Sequence, residues 1–207
     1  MIASMLAGAC RLIAGTVVQW HCDPNASVPR IYFGNHSSHL DFIVIWSALP
    51  PRLRRTTLPV AGKDYWDRGL VRRYLVGRVF HAVLIQRGAP GAAHAPAAAQ
   101  AAIEQMTQAM GTRHSLIVFP EGTRSTDGEI GPFRSGLFHL SRARPDVELI
   151  PVYLQNLNRI LPKGELLPVP MLSRVVFGAP LENIANEEKD AFLTRARDAL
   201  LQLKATT

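Results

Sequence analysis

Proton-transfer chemistry is concentrated in the stretch Asn35-His36-Ser37-Ser38-His39-Leu40-Asp41. It lies between an apolar, β-favouring run (Ile31-Tyr32-Phe33-Gly34) and a second apolar run of helical character (Phe42-Ile43-Val44-Ile45-Trp46). These side chains therefore occupy a strand-to-helix turn, where backbone N–H groups are also free. Histidine exchanges a proton near neutral pH. Asp41 can hold one ring nitrogen of His36 and leave the other facing a substrate hydroxyl, as in hydrolytic triads but without the serine. Five residues of regular helix turn through about 500°, so the two side chains share no face if both are mid-helix. The pairing requires His36 in the turn and Asp41 in the first helical turn, with Ser37 or Ser38 as the N-cap. A His-x4-Asp spacing in isolation is explained as simply by a capped helix with histidines on a loop. His36, His39 and Asp41 also have ligand chemistry. The spacing differs from the di-metal pattern His-x-His-x-Asp-His, however, and Phe42 replaces its last histidine. No metal is expected.

A second polar constellation follows another apolar run: Phe119-Pro120-Glu121-Gly122-Thr123-Arg124-Ser125 after Ser115–Val118. Ligands of open α/β sheets bind outside the carboxyl ends of the strands, which puts both turns on one rim. Gly122 permits close backbone approach. Arg124 can grip a phosphate bidentately, with the Thr123 and Ser125 hydroxyls completing the shell. Glu121, an acceptor when ionised, is better suited to orienting an arginine than to touching phosphate. Arg87, also just after a strand, can join from a third side. A polar turn held by a Glu–Arg ion pair accounts for the same residues.

The elements that must position these turns alternate between strand and helix. Strands are expected over Ile31–Gly34, Thr56–Ala61, Ala82–Ile85, Ser115–Phe119, Val147–Leu154 and, as an edge, Arg174–Phe177. Helices are expected after Asp41 as far as Pro50-Pro51, from Lys63 to Leu75 with a break at Gly77, up to Met110, over Gly136–Ala143 and over Glu187–Leu203. Gly88–Ala98, rich in alanine, glycine and proline, reads as a mobile loop, and Leu161–Pro170 as a proline-containing excursion. The pattern predicts an α/β fold, a single layered domain with a largely parallel sheet flanked by helices. An apolar N-terminal helix is expected over residues 1–22, and the main domain over 23–207.

Met1–Trp20 is mostly apolar but lacks a basic leading region, so a secretory signal is not expected. Its uncharged run before Arg11 is too short for a bilayer of about 30 Å. Burial of Arg11 in lipid is costly, which favours a helix lying in the membrane interface over one that spans it. An ordinary packed helix is the alternative. The 207 residues suffice for a substantial core, and 47% apolar content excludes wholesale disorder. The net charge of +7 points to an anionic partner. Nucleic acid is not expected, for want of a recognisable module or a basic groove interleaved with aromatics. Arg52, Arg54 and Arg55 form a small basic cluster, and the two cysteines, Cys10 and Cys22, suggest a reducing compartment.

The two constellations together resemble the glycerolipid acyltransferase family, typified by 1-acylglycerol-3-phosphate acyltransferase. That family carries an Asn-His-x4-Asp block and a Phe-Pro-Glu-Gly-Thr-Arg-Ser block. Gly77 with Leu84-Ile85-Gln86-Arg87 is similar to its second block, Leu149-Ile150-Pro151-Val152 to its fourth, and Phe133-Arg134-Ser135-Gly136 to its basic segment. The likeness covers roughly Ile31–Tyr153, and Gln86 stands where many relatives have an acidic residue. It implies acyl transfer from acyl-CoA or acyl-carrier protein to a lysophospholipid hydroxyl, most simply 1-acylglycerol-3-phosphate, with no cofactor. It also implies His36 as general base and Asp41 as the group fixing its tautomer. Arg87, Glu121, Gly122, Thr123, Arg124 and Ser125, with Lys63 and Arg134, would bind the acceptor. Asn35, Ser37 and Ser38 would support the turn or the oxyanion. The cytoplasmic face of a membrane, with peripheral or monotopic attachment, is the expected location. A hydrolase using the same dyad and a non-catalytic binder of anionic membranes are the alternatives.

Overall fold

β-Branched and aromatic runs build a seven-stranded sheet in the computed structural model, which describes residues 7, 8, 10, 15–38, 40–66, 69–86, 95–160 and 171–207. The strands are β1 (Thr16–Trp20), β2 (Arg30–Gly34), β3 (Thr57–Gly62), β4 (Val83–Ile85), β5 (Ser115–Val118), β6 (Glu148–Gln155) and β7 (Ser173–Phe177), in the spatial order β1-β7-β6-β2-β5-β3-β4. β2 to β6 run parallel, β7 is antiparallel to β6, and β1 is parallel to β7. The expected α/β architecture with a largely parallel sheet is therefore present.

Side chains of β2 alternate between two core layers, as the pleat requires. Tyr32 faces one layer with Val44, Ile45 and Trp46 of helix α1 (Asp41–Ala48). Ile31 and Phe33 face the other, with residues of α2 (Ala95–Met110), α3 (Gly136–Ala143) and α4 (Lys189–Ala205). Every residue of β2 is buried, as expected for a central parallel strand covered on both faces.

Three expectations are corrected. The predicted helix over residues 1–22 does not continue to its end: Ala7, Gly8 and Cys10 are helical, but Thr16–Trp20 is β1. Gly15, at φ +48°, immediately precedes the strand, and the β-branched Thr16-Val17-Val18 favours it. Residues 1–6, with Arg11, lie outside the described residues. Second, β7 is no edge, since β1 covers its free side and Trp20 stacks on Phe177 at 3.7 Å. Third, the helix expected from Lys63 to Leu75 is two short helices, Lys63–Trp66 and Leu70–Tyr74, and the second runs into a π-helical turn, Leu75–Val79, that contains Gly77. Most of the predicted Gly88–Ala98 loop and all of the Leu161–Pro170 excursion lie outside the described residues.

Parallel pairing sets the register that matters for function. Phe33 of β2 pairs with Val118 of β5, and Gly34 pairs with Val152 of β6. The chain therefore leaves β2 at Asn35 and β5 at Phe119 side by side. Gly34 is required there, because a Cβ would come 3.0 Å from the Val152 carbonyl oxygen and 3.3 Å from Ile45. Gly34→Ala is expected to destabilise the fold by about 1–3 kcal/mol, as overpacking against backbone does, and urea unfolding measures it.

Candidate active site

Asn35 ends β2 by continuing its pairing with a side chain. Its amide donates to the Leu154 carbonyl (3.0 Å) and accepts from the Leu154 N–H (2.8 Å), so it stands in for a peptide group of the strand. The backbone is then free to turn out of the sheet. Within one turn it reaches Asp41, the first residue of α1, which is wholly buried.

The Asp41 carboxylate faces back onto that turn. Its Oδ2 accepts from the Ser37 N–H (2.6 Å) and the Ser38 N–H (2.8 Å) and bonds His36 Nδ1 at 2.8 Å. A negative charge at a helix N-terminus also meets the positive end of the helix dipole. The geometry demanded by the five-residue spacing is met, with His36 in the turn and Asp41 in the first helical turn. Since Nδ1 is engaged, Nε2 is the ring nitrogen left for substrate. The ring stacks on Phe119, with centroids 4.3 Å apart, and its side chain is 17% exposed.

The second constellation is fastened to the first. Glu121 is buried, and its Oε1 accepts from the His36 N–H (2.8 Å) and its Oε2 from the Gly131 N–H (3.0 Å). The Ser125 N–H donates to the His36 carbonyl at 2.8 Å. Burial pushes the Glu121 carboxyl above its ordinary range, and the two N–H donors pull against that shift. Gly122 adopts φ +72°, and a Cβ there would lie 2.8 Å from Cδ and Nε of Arg134, whose Nε donates to the Glu121 carbonyl (3.2 Å).

A family model described as Acyltransferase matches residues 19–155, which include both turns. The chain belongs to this acyltransferase family. It is 31% identical over 151 residues to a 1-acyl-sn-glycerol-3-phosphate acyltransferase of Limnanthes douglasii, covering 68% of this chain and 47% of that one. It is 27% identical over 180 residues to the human 1-acyl-sn-glycerol-3-phosphate acyltransferase alpha, covering 84% and 58%. The chain thus matches about half the length of these relatives. Its fold resembles the crystal structure of the 1-acyl-sn-glycerophosphate acyltransferase PlsC from Thermotoga maritima, with a TM-score of 0.71 at 19% identity, over 99% of this chain and 78% of that one.

In this chain the predicted residues divide into distinct groups. His36, Asp41, Glu121, Gly122, Ser125 and Arg134 come together around the paired turns. Thr123 is exposed and Arg124 partly buried within the same turn, and Lys63 is exposed just past the end of β3. Arg87 and His39 lie outside the described residues. Three expectations are corrected. The Ser37 and Ser38 N–H groups do not serve an oxyanion, because both are donated to Asp41. Neither serine is the N-cap: that residue is Leu40, without a side-chain cap bond. The Glu121 carboxylate does not orient an arginine: its two oxygens accept from the His36 and Gly131 N–H groups. Ser125 is likewise occupied, its hydroxyl donating to Asp127 (2.7 Å) and accepting from the Gly128 N–H (2.9 Å).

Sequence reasoning missed the Asn35–Leu154 bonds, the Phe119 stack and Gly131. The first two had a signal, since an amide and an aromatic each stand directly after a strand; Gly131 had none. Glu121→Ala leaves the His36 and Gly131 N–H groups without their acceptors. A loss of about 1–3 kcal/mol in thermal or urea unfolding is expected, a cost that a surface phosphate ligand would not show.

Proposed function

We propose that this chain transfers a fatty acyl group from acyl-CoA or acyl-carrier protein to the hydroxyl of a lysophospholipid, 1-acylglycerol-3-phosphate first among them, giving phosphatidate. The observation that carries this reading is the His36 Nδ1 to Asp41 Oδ2 bond, which fixes one tautomer and leaves Nε2 as a base. Membership of the family and the activities for which the relatives are named support the same reaction.

A thioester is already activated, so the reaction needs no serine or cysteine nucleophile. It needs a base for the alcohol and a means of holding two substrates in line. His36 Nε2 takes the proton of the acceptor hydroxyl as that oxygen bonds to the thioester carbonyl carbon. The C–S bond then breaks, and the departing sulfur receives the proton from the imidazolium. Asp41, bonded to Nδ1, stabilises the transient cation. Thr123, Arg124 and Arg134, with Lys63 and Arg87, supply the hydroxyl and cationic groups for the acceptor's phosphate. Among the described residues no helix is long and apolar enough to cross a membrane. Attachment at the cytoplasmic face, peripheral or monotopic, suits a lipid acceptor and the net positive charge.

His36→Ala is expected to lower kcat by about 10²–10⁴-fold, the usual worth of general-base assistance, with acceptor binding retained. Arg124→Gln should chiefly raise the acceptor KM. Both are measured with a panel of lysolipids and either thioester, following free thiol and acylated lipid together. Thiol release without acylated lipid identifies a hydrolase and overturns the transfer reading, as does full activity of His36→Ala.

A further inference from the structure

The loop between β5 and α3 is fastened to the terminal helix α4 as well as to the His36 turn. Arg197 of α4 donates from Nε and Nη2 to the Ile130 carbonyl (3.2 and 2.8 Å) and from Nε to the Gly131 carbonyl (3.2 Å). About two turns further along the same helix face, the Lys204 ammonium bonds Glu129 Oε2 at 2.7 Å. The helix is itself seated by Phe192, Ala196, Leu200 and Leu203, which are buried in the core layer that holds Ile31 and Phe33 of β2. A cation on a firmly packed helix thus meets the loop at a fixed point.

That point is one step from the active site. The Ile130 carbonyl and the Gly131 N–H belong to one planar peptide unit and leave it in opposite directions. Arg197 takes the carbonyl side, and the N–H donates to Glu121 Oε2 at 3.0 Å. The other oxygen of the same carboxylate accepts from the His36 N–H at 2.8 Å. Guanidinium, peptide, carboxylate and histidine backbone therefore form an unbroken line of hydrogen bonds. Gly131 lets the peptide approach this closely, since a Cβ there would lie 3.1 Å from Glu121 Oε2. A cation on the carbonyl oxygen polarises the peptide and strengthens its N–H as a donor. That matters at Glu121, where burial works against the ionised carboxylate and the Gly131 N–H is one of the two donors that favour it.

We propose that Arg197 is a positioning residue for His36, acting from the terminal helix through the Ile130–Gly131 peptide and the Glu121 carboxylate. It fixes the peptide that fixes the carboxylate, and the carboxylate in turn fixes the backbone from which the imidazole projects. Asp41 orients the ring from one side, and Arg197 secures its attachment from the other. The inference rests on the acyl-transfer reading for its kinetic arm only, because the line of bonds is read directly from amide resonances.

Steady-state kinetics with 1-acylglycerol-3-phosphate and acyl-CoA, together with amide NMR of the full chain, test it on three variants. Arg197→Met keeps the stem and removes the cation. It should lower kcat by roughly three- to thirtyfold with the acceptor KM little changed. The Gly131 amide proton should move upfield, and the His36 amide resonance should shift with it. Arg197→Lys restores a cation without the planar fork and should recover most of the lost kcat. Lys204→Gln cuts a contact between the same helix and the same loop outside this line, so kcat and both resonances should stay as in wild type. Unfolding curves set an assay temperature at which each variant is folded. If Arg197→Met does not fold, Arg197→Lys carries the test, since one ammonium in place of three bonds still moves the Gly131 amide upfield. Full kcat in Arg197→Met, an effect on KM alone, an equal loss in Lys204→Gln or unmoved amide resonances overturns the proposal. If the wild-type chain acylates no lysolipid, the transfer reading fails, and the amide resonances alone decide the positioning role.

Discussion

A single buried oxygen, Oδ2 of Asp41, holds the site together. It accepts from two backbone N–H groups and bonds the imidazole of His36, at the first residue of a helix whose side chains are almost all buried. An ionised carboxylate removed from water costs several kcal/mol unless it is hydrogen-bonded and favourably placed in a field. The three contacts on Oδ2 and the helix N-terminus offset part of that cost, while Oδ1 is buried without a hydrogen-bond partner. The consequence is geometric: the turn from Ser37 to Asp41 is wrapped around the carboxylate, and the histidine ring is oriented by the same atom that shapes the loop. Folding of the turn and orientation of the base are one event, so neither can drift without the other.

The sheet extends this constraint to the second turn. Parallel pairing of β2 with β5 makes the two chains exit the same edge at adjacent positions, and the Gly34 and Asn35 contacts fix where the first exit begins. Glu121 and Ser125 then bind the backbone of His36 from both sides, through its N–H and its carbonyl. The residues nearest the chemistry are thus held mainly through backbone groups. This explains why the two turns tolerate a polar, loop-like composition without becoming loose: their N–H and carbonyl groups have partners inside the fold.

Much of this was legible in the sequence, for reasons specific to each element. β5 and β6 are runs of apolar and β-branched residues bounded by turn signals, and α3 starts at Gly136 and ends at Ala143 as its periodicity predicts. The His36–Asp41 pair could be demanded from helix geometry because one conformation alone lets the two side chains meet. β1 was hidden because Thr16-Val17-Val18 continues an apolar run that begins at Met1, and the positive φ of Gly15 just before it is a backbone angle that composition does not encode. The division of labour within Phe119–Ser125 was hidden for a different reason. Glu121 and Ser125 read from the sequence as polar groups of one short turn, and only the placement of Gly131 and Asp127, ten and two residues further on, shows that each already has its partners within the fold.

That division separates a rigid half of the site from an adaptable one. His36, Asp41 and Glu121 have fixed partners and little exposure, as a proton transfer requires, since a displacement of about 1 Å is enough to lose much of the benefit of positioning. Thr123, Arg134 and Lys63 are exposed. Long cationic side chains at an exposed position retain rotamer freedom until a ligand orders them, and that ordering costs entropy with each acceptor bound. In the proposed reaction the base therefore sits in the half that packing has fixed. The groups proposed for the acceptor's phosphate sit in the half that water still reaches.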